Sequence, residues 1–131
     1  MLFGAINTSG SGLVAMRKWM DEVSDNIANM NDAASTSGTV YRPWGVGVAD
    51  NGDGTGVHVT GAVRTGDPNG RIVNDPSNPL ADKDGNVRMP DIDLGDQMGQ
   101  LIQAQRAYQA NLSCIDRVRD AYSSAIQIGR S

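Results

Sequence analysis

Residues 16–30 read MRKWMDEVSDNIANM, and the spacing of their apolar side chains decides how the chain is built. Met16, Met20, Val23, Ile27 and Met30 alternate steps of four and three. That is the heptad seam with which one helix packs on another. The pattern runs back through Leu13 to Ile6 and Leu2, with Ser9 at the seam position between. The stretch NTSGSG around Ser9 lowers helix propensity, so the first turns are expected to order when packed. At the other end, Asn26, Asn29 and Asn31 crowd into a few residues. Asparagine amides compete with the backbone for hydrogen bonds. Asn26 and Asn29 are expected to bond across the helix layer, to a second helix or to an adjacent subunit.

That second helix is legible near the C-terminus. Leu94, Met98, Leu101, Tyr108, Leu112, Ile115, Tyr122 and Ile126 again follow steps of four and three, with Gln105 and Arg119 as polar interruptions. Asp93 suits an N-cap, Asp96 suits the first turn, and Gly129 suits a C-terminal stop. Each narrow stripe buries little by itself, and Val14, Ile102 and Val118 widen the stripes. The seam residues Leu13, Met16, Met20, Val23, Ile27, Met98, Leu101, Tyr108, Leu112, Ile115, Tyr122 and Ile126 are therefore expected to form a layer that other chains complete.

Between the helices the composition changes. Nine of the 16 glycines fall between Gly38 and Gly70. GVGVAD and GVHVTGAVR alternate apolar residues at period two around NGDGT, the pattern of a β-hairpin. RIV and NVRM are expected to add short extended pieces to that hairpin. The fold class is α+β: long N- and C-terminal helices paired antiparallel, with a small hairpin-rich insert. The parts are residues 1–35, 36–92 and 93–131, the two helices forming one core.

Composition limits the function. The 131 residues carry a formal charge of -4 and no basic cluster beyond Arg17-Lys18, which disfavours nucleic acid. Cys114 is alone, so neither an internal disulfide nor a cysteine zinc site is available. No run of about 18 apolar residues marks a membrane span. The N-terminus lacks the early positive charge of a cleaved signal peptide.

No catalytic, cofactor or metal site is expected. DNGDGTG (residues 50–56) and DKDGNV (residues 82–87) resemble calcium loops superficially. An EF-hand needs oxygen ligands at its first, third and fifth positions and glycine at the sixth. Gly85 falls fourth from Asp82, and Gly52 falls third from Asp50, so both stretches read as tight turns. His58, the only histidine, lies mid-strand and is expected to face solvent. Asp91, Asp93 and Asp96 cluster where acids favour a helix start.

Specific motifs narrow the reading. Ser24, Asn26, Ala28 and Asn29 match an S-x-N-x-A-N pattern. Residues 75–112 carry Asn78-Pro79-Leu80-Ala81-Asp82, Gly85, Val87, Met89-Pro90, Asp93 and Tyr108-Gln109-Ala110-Asn111. With the closing IQIGR, the chain resembles the FlgC family of flagellar basal-body rod proteins. Asn86 departs from the aromatic common there, and the Gly/Ser-rich stretch of residues 32–56 departs from a more apolar, basic one. The resemblance implies a non-enzymatic structural subunit of the proximal rod, without cofactors, located in the basal body across the periplasmic space. It implies export by the flagellar type III apparatus without a cleaved signal peptide. The partners implied are copies of itself and the FliE, FlgB, FlgF and FlgG rod proteins, with no nucleic acid and no membrane insertion. The alternatives are another rod subunit of the same family, or a calcium-binding interaction module.

Overall fold

A computed structural model describes residues 2–130. The order is α1 (Leu2–Asn29), β1 (Trp44–Asp50), β2 (Val57–Arg64), β3 (Arg71–Asn74), β4 (Asn86–Met89) and α2 (Leu94–Gly129). The two long helices pack on each other, with Gly12 of α1 against Asn111 of α2 and Asn26 of α1 against Gln97 of α2. Early α1 thus meets late α2, and late α1 meets early α2, which makes the pair antiparallel.

The insert holds two hairpins. Hydrogen bonds from Thr65 N to the Pro43 carbonyl (2.9 Å) and from Asn51 N to the Gly56 carbonyl (3.0 Å) bracket β1–β2 as an antiparallel pair. β3 and β4 pair antiparallel from Arg71↔Met89 to Asn74↔Asn86. They form a separate two-stranded sheet rather than an extension of the first, which corrects the sequence expectation. The reason is that β4 finds its second neighbour elsewhere. Arg88 exchanges both backbone hydrogen bonds with Ala34 at 2.8 Å, and its Nη2 and Nε reach the Thr36 carbonyl.

The chain divides into two compact units. One takes α1 up to Met20, Val46–Gly61 and α2 from Ile102. In it the low-propensity NTSGSG stretch stays helical, because its small residues sit at close approaches. A Cβ on Gly12 would lie 2.8 Å from Asn111 Nδ2. Ser11 Oγ donates to the Thr8 carbonyl at 2.8 Å and accepts from Val57 N at 3.1 Å, so one hydroxyl seats the hairpin on the helix. Ser9, Ala15 and Ala104 are the buried residues of these segments.

The other unit takes Asp21–Gly45 and Ala62–Leu101 and holds the denser core of Val23, Val40, Val87, Pro90 and Ile92. Its turns follow their residue types. Asp82 Oδ1 accepts from Asp84 N (3.0 Å) and Asn86 N (2.9 Å), and Gly85 adopts φ of 78°. In the first unit Asp50 and Asp53 likewise cap Gly52 N and Thr55 N. The two Asp-Gly stretches are turns, as their spacing indicated. His58 is exposed on β2, with Nδ1 2.8 Å from Asn51 Oδ1.

Candidate assembly surface

Asn26 is the centre of the motif that closes α1. It is 1% exposed, and its amide uses its full bonding capacity. Oδ1 accepts from Trp44 N at 2.7 Å and from the Tyr41 hydroxyl at 3.2 Å. Nδ2 donates to the Trp44 carbonyl at 2.8 Å and to Gln97 Oε1 at 3.0 Å. One side chain therefore ties α1, the start of β1 and the first turns of α2. This meets the expectation of a bond to the second helix. Asn29 behaves otherwise: its Nδ2 donates to the Asp25 carbonyl of its own helix at 2.8 Å. Ser24 and Ala28, the other motif positions, are exposed. Burial raises the pKa of Tyr41 above its ordinary 10.0, with Asp25 adding to the effect.

The motif of residues 78–90 builds the loop that joins β3 to β4. Asn78 Oδ1 caps Leu80 N at 3.0 Å, Ala81 N donates to the Asn78 carbonyl at 3.0 Å, and Asp82 closes the next turn. Pro79 and Leu80 are exposed, whereas Gly85 and Pro90 are buried and Met89 is half-buried. Pro90 leads to α2, where Asp93 caps Asp96 N at 2.8 Å.

The seam residues divide into two groups. On α1, Val23 is buried and Leu13, Met16, Met20 and Ile27 are half-buried. On α2, Leu101, Tyr108 and Ile115 are half-buried, while Met98, Leu112, Tyr122 and Ile126 are exposed. The better covered positions of α2 include Gln97, Ala104, Asn111 and Val118, which interleave with Leu101, Tyr108 and Ile115 at steps of four and three. The helix therefore carries two adjacent stripes. One is small and polar and lies against the chain. The other runs from Leu94 through Met98, Leu112 and Ile126 and is 42–45% exposed. Gln97 and Asn111 carried no apolar signal, so periodicity alone passed over them, and Val118 registered only as widening the seam. Tyr108 and Asn111 of the Tyr-Gln-Ala-Asn motif face inward to some extent, and Gln109 and Ala110 are exposed.

Apolar surface also gathers where the helix ends meet. Phe3, Ile6, Val118, Arg119 and Tyr122 line a hollow of about 210 Å³. No helix among the described residues is long and apolar enough to cross a membrane.

A family model of the C-terminal region of flagellar basal body rod FlgEFG proteins matches residues 83–128, which hold β4 and nearly all of α2. The exposed stripe lies within that match. That match points to the axial proteins of the flagellar rod, and relatives that align over nearly the whole chain place it there. The flagellar basal-body rod protein FlgC of Borreliella burgdorferi is 32% identical over 97% of both chains. That of Agrobacterium fabrum is 35% identical over 97% of this chain and 94% of its own. That of Bacillus subtilis is 30% identical over 98% of both. The chain belongs to the FlgC family, and it is a structural subunit of the flagellar basal-body rod.

Proposed function

We propose that this chain is a subunit of the proximal rod, stacking helically through α1 and α2 so that torque passes from the motor toward the hook. The observation that carries this is the exposed apolar stripe of α2 beside the seam that the chain itself covers. Leu94, Met98, Leu112 and Ile126 recur on one side of a long helix, with Gln105 and Arg119 between them, and exposed apolar surface marks interaction sites. Leu13, Met16, Met20, Val23 and Ile27 of α1, with Leu101, Tyr108, Ile115 and Tyr122 of α2, set the shape of that layer. The two helices act as one core with the residues between them as an insert. The neighbours proposed are further copies and the FliE, FlgB, FlgF and FlgG types, reached after type III export without signal cleavage, at the periplasmic level of the basal body. The role is mechanical rather than catalytic.

The test is electron microscopy of basal bodies from a strain lacking the gene, with complementation. Hooks and filaments are expected to vanish and to return with the gene. Complete flagella in the deletion strain would overturn the reading.

A further inference from the structure

A hollow of about 270 Å³ in the insert is lined by Thr39, Val40, Tyr41, Arg42 and Arg64, two arginines and no acid. Its wall is pinned in place. Val40 is 4% exposed and Pro43 is buried, so the chain on either side of Arg42 is anchored. The Tyr41 hydroxyl donates to Asn26 Oδ1 (3.2 Å), and the Pro43 carbonyl accepts from Thr65 N (2.9 Å). The two arginines are accommodated differently. Arg64 is exposed, stacks 3.5 Å from the Trp44 ring centre and donates to the Arg42 carbonyl. The aromatic face and the solvent account for its charge. Nothing comparable serves the Arg42 side chain among the described residues.

Arg42 is half-buried, and its Nε–H is cut off from water without an acceptor. Among the described residues it is the one buried side-chain polar atom left in that state. Neither Arg42 nor Arg64 forms an ion pair there. A buried donor left unpaired is costly, and a charge drawn out of water without a counter-charge costs more. A second arginine beside the same hollow adds like-charge repulsion. An arginine with a purely structural task aims its fork at carbonyls, as Arg88 does with those of Thr36 and Asn69. The Arg42 guanidinium makes no such bond.

We infer that the hollow receives an aspartate carboxylate from a second copy of this chain, an inference that rests on the reading as a rod subunit. One edge of a guanidinium, Nε–H with one Nη–H, matches the two oxygens of a carboxylate. A small turn of the Arg42 head brings that edge to the hollow, and Arg64 adds a second positive charge. The second copy has the counterpart. Acids outnumber bases 15 to 11, and the single glutamate, Glu22, is buried. Among the aspartates, Asp32 and Asp84 are exposed and form no ion pair. Arginines on one copy and an aspartate elsewhere on the next make a heterologous contact, the kind that propagates into a helical array.

The test begins with the full ¹⁵N-labelled chain and N-acetylaspartate methylamide, followed by NMR. Saturable shifts are expected at Arg42 Nε–H and at the Thr39 and Tyr41 backbone amides. The uncharged asparagine compound, and the Arg42→Gln chain with the aspartate compound read at Thr39 and Tyr41, should each respond about tenfold more weakly, since charge-assisted bonds are the stronger ones. No saturable shift, an equal response to the asparagine compound, or a stronger response to inorganic phosphate would overturn the inference. Arg42→Gln should leave the purified chain at least as stable in urea, because an unpaired charge is gone, and yet abolish motility. A chain destabilised by that change, or undiminished motility, would make Arg42 a structural residue and sink the idea. Motile revertants of Arg42→Glu name the partner. An aspartate of the same gene turned basic supports a second copy, whereas revertants confined to other rod genes, or none at all, count against it. The deletion strain tests the rod role separately, so the two ideas can fail independently.

Discussion

At Asn26 one amide serves four partners, so its loss should be felt throughout the surrounding unit. Asn26→Ala leaves Trp44 N and the Trp44 carbonyl without their partner. Unsatisfied buried groups cost about 1–3 kcal/mol each, so a total loss of about 2–4 kcal/mol is expected in urea unfolding. Asn29→Ala removes a bond to its own helix and a side-chain interaction with Tyr41, both at a half-buried position, and should cost less than Asn26→Ala. Tyr41 adds a pH signature. Its raised pKa means the unfolded chain ionises first. Stability is complete below the ordinary 10.0 and falls as pH rises through the folded value. Tyr41→Phe should be less stable at neutral pH, having lost its bond to Asn26, yet decline less between pH 10 and the folded value. Urea midpoints across that range decide it. The sequence marked Asn26 as a cross-helix group. It did not give Trp44 as partner, because a backbone strand start has no side-chain signature.

Among the elements, α1 shows why helix propensity misjudges NTSGSG. Gly10 has open space around its Cβ position, whereas Gly12 faces Asn111. Gly10→Ala is expected to raise stability by about 0.5–1 kcal/mol, the ordinary helical gain. Gly12→Val should lower it, because a branched side chain must displace Asn111. Thermal melts of the two variants should move in opposite directions. Gly70 is a different case: φ is 62°, and a Cβ would strike the Met89 carbonyl at the end of the β3–β4 pair. Gly70→Ala should destabilise by about 1–3 kcal/mol, a strain cost that refolding yields and melts will register. Period and turn chemistry sufficed for both helices and for the first hairpin. The separation of the two sheets was not legible, because the Ala34–Arg88 bridge joins residues far apart in sequence with no pattern of their own.

For the molecule as a whole, the two stripes of α2 predict separable effects. Leu112→Asp and Ile126→Asp alter side chains already 42% and 45% exposed, so monomer stability should stay within about 0.5 kcal/mol. Motility and basal-body assembly should nevertheless fail. Ala104→Asp, at a residue with 0% exposure, should unfold the chain instead. Soluble variants that still assemble complete rods would refute the assignment of the outer stripe. The heptad reading found the apolar residues of α2 but could not apportion them between the chain and its neighbours. Gln97, Ala104 and Asn111 take the inner positions without any apolar signal.

The pairing of early α1 with late α2 has a mechanical consequence. Phe3 and Ile6 stand beside Val118 and Tyr122, so the two ends of the helix pair lie side by side. A force drawing those ends apart acts across the pair, not along it. The contacts then break one turn at a time, as a zipper opens, and never share the load. Optical-tweezers records of a single subunit pulled by its ends should show gradual yielding at low force.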